Sequence, residues 1–309
     1  MRTHHLSPAT VAASALLLLH GVPAPLRAET AAAEGACTRA ADDACERQAQ
    51  ADNFLALAIC ANIGDAGRRS ACVREADREL RAAPAECEAQ EEAREAVCRA
   101  VGQAPYDPPI RPSDFVGEIT NPYYPLTPGT VFTYRSEDGS GTVEVTRATV
   151  TILGVRCVVV RDKAFEGGRL VEHTFDYFAQ DRTGNVWYFG EATAEIVNGV
   201  PVNNNGAWIA GVDGAKPGII MPATPRPGLT YRQEFALADA EDVGRVESLG
   251  EAVRVPAGRF ADTLKTSDFT PIEPDVRENK YYARGVGLVL AVGLETGGRE
   301  ELVSVRRGR

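Results

Sequence analysis

Hydrophobic and polar positions follow two different rhythms in the two halves of this chain. From Thr130 onward apolar and polar residues alternate with a period of two in short runs rich in β-branched and aromatic residues, separated by Gly, Pro, Asn and Asp clusters. Val131–Ser136, Thr142–Ile152, Val155–Arg161 and Arg169–Glu191 read as successive strands. The last of these is a hairpin, RLVEHTFDYFAQ and VWYFGE around the turn Asp181-Arg-Thr-Gly-Asn185. The pattern loosens between Asn198 and Pro227, where Asn-Gly, Asp-Gly and Pro-rich stretches read as loops. It resumes at Thr230–Phe235, Val243–Val255, Thr263–Phe269, Arg277–Ala283, Gly285–Val292 and Glu301–Val305. Short connections imply an antiparallel meander, and nothing in this half reads as a helix. The expected fold is mainly β: a large antiparallel meander, as a curved sheet, unclosed barrel or sandwich, preceded by a stapled helical hairpin.

The first half has the other rhythm. Glu29 to Gly102 is rich in Ala, Glu and Arg with few β-branched residues, and reads as helix broken at Asn62–Gly67. Six of the seven cysteines fall here. When the chain is folded back at the break, Cys60 and Cys72 flank the turn. Cys45 and Cys87 each lie fifteen residues further out, close to four helical turns, on the inner face. Cys37 and Cys98 fall at the open end. The spacing predicts nested pairs Cys60–Cys72, Cys45–Cys87 and Cys37–Cys98, one pairing of the fifteen possible. Two Ala-rich helices bury little apolar surface, and cross-links compensate. Pro84 is expected to kink or split the second helix, or to start a third piece. With no C-x-x-C and no His in the segment, a zinc or redox site is not indicated.

Between the halves, Gln103–Gly129 carries seven prolines and reads as an extended connector. Its end, Asn121-Pro-Tyr-Tyr-Pro-Leu-Thr-Pro-Gly129, reads as a strap that lays its aromatics on the following domain. Ahead of everything, a short basic start, an apolar run from Ala9 to Leu19 and small residues up to Ala28 read as a secretory signal cleaved near Ala28. The expected division is residues 1–28 signal, 29–102 Cys-rich helical hairpin, 103–129 linker and strap, and 130–307 β domain, in a secreted or periplasmic protein.

The formal charge of −10 becomes −12 when Arg2 and Arg27 leave with the signal. This disfavours nucleic acid and anionic membrane surfaces as partners. No later run is long enough to span a membrane. No cofactor or metal motif is present: Asp181–Asn185 lacks calcium-loop spacing, and no G-x-S-x-G occurs. His173 is the only His beyond the signal, and without a partner motif it does not define a catalytic triad. Cys157, the odd cysteine, lies in a valine run and reads as a buried thiol.

Acids are plentiful, among them Asp176, Asp181, Glu191, Asp213, Glu234, Glu241, Asp242, Glu273, Asp275 and Glu278. Alternation alone does not choose a pair for acid–base chemistry. Aromatics near flexible loops are the stronger lead. The candidate ligand-binding set is His173, Trp187, Phe189, Glu191, Trp208, Tyr231 and Tyr281, with Trp187–Glu191 its most site-like part.

The NPYYPLTPG strap, Val255-Pro-Ala-Gly-Arg-Phe260 with Thr263-Leu-Lys265, and Tyr281-Tyr-Ala-Arg-Gly-Val-Gly-Leu-Val289 together resemble uncharacterised exported bacterial β-proteins, some of them labelled TapB-like. They are loosely similar to LolA-like lipoprotein-carrier folds. The resemblance covers about residues 121–305 and implies a curved antiparallel sheet forming an unclosed barrel, without a catalytic set to carry over. The functional expectation is a non-enzymatic binding protein for a small apolar or glycan ligand, or for a partner protein engaged through the helical hairpin. The alternatives are a secreted hydrolase using carboxylates near Glu191 and Glu278, and a structural envelope protein.

Overall fold

The structure, a computed structural model, describes residues 39–308. The helical half is a hairpin of α1 (Arg39–Ala61) and α2 (Ala66–Val101). Asp65 caps α2, its carboxylate accepting from the Arg68 N–H at 2.8 Å. Gly102 ends it at φ 107°, a conformation that favours glycine. The facing surfaces are built from small side chains, Ala41, Ala49, Ala76 and Ala83, with Cys60, Cys87 and Val97. That lets the helices approach closely but removes little apolar area from water. Two disulfides supply what burial does not: Cys60–Cys72 beside the turn and Cys45–Cys87 beyond it. Closing loops of 12 and 42 residues, they stabilise by about 3 and 4 kcal/mol through the unfolded chain. Cys37, the partner expected for Cys98, lies outside the described residues, as does the expected signal segment.

Pro84 neither splits α2 nor starts a new helix. It sits on the exposed face, where the Leu80 carbonyl that loses its partner is within reach of water, while Cys87 one turn on is tied to α1.

The β half contains one 16-stranded antiparallel sheet that comes round on itself. A first meander is β2 (Val131–Arg135), β3 (Gly139–Ile152), β4 (Val155–Glu166), β5 (Arg169–Asp181) and β6 (Val186–Val197). A second is β12 (Val243–Val255), β13 (Gly258–Phe269), β14 (Arg277–Ala283), β15 (Gly287–Gly293) and β16 (Arg299–Arg306). They join where β16 pairs with β2, Leu302 opposite Tyr134.

Their free edges, β6 and β12, are bridged by the segment that reads as loops in the sequence. β9 (Lys216–Met221) pairs with β6. β10 (Thr230–Arg232) pairs with β12, and β11 (Glu234–Phe235) pairs with β9. Only Gln233 separates β10 from β11, so one short stretch touches both edges. Gly218 of β9 lies so close to Gln233 that a Cβ there would overlap its backbone. Three short strands stay off this path: β1 (Phe115–Val116) on β5, and β7 (Val200–Asn203) and β8 (Trp208–Ile209) on β6.

The hairpin turn at Asp181–Asn185 is organised by one carboxylate. Asp181 accepts from the N–H groups of Thr183 and Asn185, the Thr183 hydroxyl, the Asn185 amide and the Trp187 indole. Partial burial works against its charge, but these bonds outweigh it and hold the group below its ordinary pKa.

The connector runs down the outside of the barrel. The Tyr106 hydroxyl donates to the Pro217 carbonyl, and its ring meets Phe235 edge-on under the Arg232 guanidinium. Phe115 packs edge-on against Trp187 and Phe189. The strap then turns into one end. The Gln180 side chain accepts from the Thr120 and Asn121 N–H groups. The Pro122 carbonyl accepts from Gly285, and Tyr123 is buried beneath Arg284.

Candidate functional site

Above the strap the sheet lines a partly open cavity of about 320 Å³. Its wall follows from strand alternation. On β4 and β5, Asp162, Asp176 and Phe178 face the cavity, and their register partners on the neighbouring strands lie on the same face. Arg161, Lys163, His173 and Phe175 occupy the opposite face. On β6 a register shift between Asp176/Glu191 and Phe178/Tyr188 brings both Tyr188 and Glu191 inward. The residue between them that makes this possible is Gly190, at φ 135°, where a Cβ would overlap the Trp208 backbone.

The lumen has two layers. Nearest the strap, Tyr124 packs edge-on to Phe178 at 5.5 Å and against Tyr282 at 6.3 Å, and Phe178 stacks on Tyr188 at 4.7 Å. One step further from the strap along each strand come charged groups. Asp176 follows Phe178 on β5, Lys280 follows Tyr282 on β14, and Glu191 lies beyond Tyr188 on β6. Asp162, Glu234, Asp242 and Glu300 complete this layer.

The charge is one-sided. Among the described residues Lys280 is the only basic side chain in the wall, and its ammonium is engaged by Asp268 at 3.2 Å and Glu278 at 3.3 Å, neither of which lines the cavity. Burial works against the Lys280 charge, but these carboxylates outweigh it and hold the ammonium protonated. Asp268 is further held by the Thr266 hydroxyl at 2.7 Å and the Gln233 amide at 3.0 Å.

The carboxyls of the wall are raised. Burial first, then the Asp176 charge, pushes Glu191 up to about 8. Burial, then Asp176 and Glu300, pushes Asp162 up to about 7. Asp176 is pushed up by burial to about 6 even though the Tyr188 hydroxyl donates to it at 2.7 Å. Burial also raises Glu234, Asp242 and Glu300. Near neutrality the layer therefore mixes carboxylic acids with carboxylates, offering hydrogen-bond donors as well as negative charge.

Of the residues singled out from sequence, Glu191 lines the lumen. Trp208 stands behind the wall, its indole donating to Glu234 at 2.7 Å and its ring edge-on to Tyr188. Tyr231 is buried against Gly244, also behind the wall. The other four lie elsewhere. His173 packs at a tilt against Phe175, Trp187 and Phe189 lie under the connector at Phe115, and the Tyr281 ring faces Lys265. Glu278 is not beside Glu191; the carboxylate across the ladder from Glu191 is Asp176. Asp162, Tyr134, Lys280, Tyr282 and Glu300 also line the cavity and are not among those singled out from sequence; only Asp162, which ends the apolar run of β4, carries a local signal, while β14 and β16 mix charged residues on both faces.

No family model and no curated protein matches the chain. A crystal structure from Parabacteroides distasonis described as that of a "putative lipoprotein" superposes with a TM-score of 0.33 at 13% identity, covering 60% of this chain and 98% of that one.

Proposed function

We propose that the protein is an exported ligand-binding protein whose barrel lumen holds a small molecule with a polar face. One observation carries this reading. The sheet wraps round a cavity of about 320 Å³ whose floor is the chain's own strap and whose wall has an aromatic layer below a carboxyl layer. That size and mixture suit a ligand site rather than a packed core. The carboxyls favour a polar or amphiphilic ligand over a purely apolar one. Disulfides in the helical hairpin support export, since such bonds persist in oxidising compartments.

The test uses a lumen-filling variant. Gly141 lines the cavity on β3, and a Cβ there makes only ordinary contacts, the nearest 3.4 Å from Glu300. Gly141→Val places a strand-compatible side chain in the lumen. Native mass spectrometry of protein from its own host is expected to show a co-purifying small molecule on the parent chain and none on the variant. Equal loading of both would place the ligand outside the lumen.

A second reading, a hydrolase, is favoured by the Asp176–Glu191 pair: two buried carboxyls across one ladder, Asp176 raised to about 6 and Glu191 to about 8. Turnover of a glycoside or ester panel that Asp176→Asn abolishes, with ligand retention intact, would favour it over binding alone.

A further inference from the structure

Resting on the lumen reading, we propose that the ligand is a small protonated amine with an aromatic or apolar body, the body seated on the ring layer and the ammonium among the carboxyls. Three observations point there. First, among the described residues six carboxyls line the wall (Asp162, Asp176, Glu191, Glu234, Asp242 and Glu300) against one ammonium, that of Lys280, which is paired with Asp268 and Glu278 and also feels the charge of Asp242. Asp176 and Glu191 face one another across the ladder, an arrangement that a cation between them relieves. Second, the charge is spread. Among the described residues no three His, Cys, Asp or Glu side chains are grouped to hold a metal ion. A cation with several N–H donors and a body to fix its position matches scattered carboxyls better than a bare ion does. Third, Tyr282 is only 3% exposed and lines the cavity. It stands beside Lys280 on β14, where the ring layer gives way to the carboxyl layer, and it is placed to accept from an ammonium. The ring faces of Tyr124, Phe178 and Tyr188 supply an apolar seat and a cation–π contribution.

Ammonium binding lowers the proton affinity of the surrounding carboxyls, so binding near pH 7 is coupled to proton release. A neutral ligand of the same shape lacks this coupling. The probes are 2-phenylethylamine, 2-phenylethanol and glucose, titrated calorimetrically into the full chain at pH 7 in two buffers of different ionisation enthalpy. The amine is expected to bind at least about tenfold tighter than the alcohol, with a heat that differs between buffers in the sense of proton release. Asp176→Asn with Glu191→Gln preserves side-chain shape and is expected to weaken the amine about tenfold while leaving the alcohol unchanged. Gly141→Val is expected to lose both. If the alcohol binds as tightly as the amine, or glucose alone binds, the amine inference falls and the lumen reading stands. If none of the three binds, or Gly141→Val leaves amine binding unchanged, both fall.

Discussion

Arg94 of α2 and Glu241, 147 residues apart in the chain, form a buried ion pair, with Nη2 2.8 Å from Oε1 and Nε 3.1 Å from both carboxylate oxygens. Glu241 also accepts from the Ala238 N–H at 2.9 Å, which fixes the turn ahead of β12. The next residue, Asp242, lines the lumen, and its carbonyl accepts from the Gln233 N–H at the barrel closure. The disulfide-stapled hairpin is thus tied to the stretch that closes the sheet and supplies part of the carboxyl layer.

Arg94→Ala leaves the buried Glu241 carboxyl without its α2 guanidinium partner. The expected cost is about 3–5 kcal/mol, read from denaturant unfolding. Replacing both partners, Arg94→Met with Glu241→Leu, is expected to recover most of that loss, because the cost lies in the stranded charge more than in the pair. A double variant as unstable as the single one would show that the pair itself, not the orphaned acid, carries the effect.

Gly218 and Gly141 give opposite expectations for one kind of change. At Gly218 a methyl group would overlap the Gln233 backbone, where β9 meets the β10–β11 stretch. Gly218→Ala is expected to destabilise by about 3 kcal/mol or more, whereas Gly141→Val is expected to stay within about 1 kcal/mol of the parent. Thermal unfolding of the two variants side by side checks both. A tolerant Gly218 would mean that the closure is looser than its geometry.

The closure is also where local sequence signals stop short. The hairpin at Arg169–Glu191, the Cys45–Cys87 and Cys60–Cys72 pairs and the two meanders follow from local signals: a Gly turn, equal spacings, alternation. Closure depends on Gln233 joining strands from distant parts of the chain, in a segment whose Pro and Gly content reads as loop. Alternation assigns Asp176 and Phe178 to one face and His173, Phe175 and Tyr177 to the other. It does not say which face is inside, because both are partly apolar. The outer face owes its apolar residues to the connector, whose Phe115 covers Trp187 and Phe189. That cover makes two lining candidates belong to the outer wall. Pro84 in α2 shows the same limit: a local signal for a break is overridden where the face is solvated and the next turn is cross-linked.

Cys157 is expected to be inert in the folded protein. It is fully buried, and burial pushes its thiol up to about 12, so almost no thiolate is present at pH 8. Iodoacetamide is expected to leave it unmodified under native conditions and to label it after unfolding in guanidinium, as peptide mass mapping would read. Native labelling on the timescale of a free thiol would mean that the sheet opens between β3 and β4.

The lumen makes stability fall as pH rises. Asp162, Asp176 and Glu191 hold protons in the folded state up to about 7, 6 and 8, whereas in the unfolded chain they release them near 4. Between those limits the folded state binds more protons than the unfolded one, so the free energy of unfolding decreases with rising pH. The contribution is fully present below about pH 4 and falls progressively from there, its last part being lost through the window from about 6 to about 8. A tenfold difference in proton affinity between the folded and the unfolded chain corresponds to about 1.4 kcal/mol, which makes the change across the window on the order of a few kcal/mol. Asp181 acts in the opposite sense, since its lowered pKa stabilises above the unfolded value and is lost only in stronger acid. Calorimetric melting is therefore expected to show a higher Tm at pH 5 than at pH 8. Glu191→Gln should flatten the slope by raising the Tm at pH 8 more than at pH 5. A Tm that climbs from pH 5 to pH 8 in the parent chain would mean that the lumen carboxyls are solvated and ionised, and would remove the basis for reading the cavity as a desolvated site.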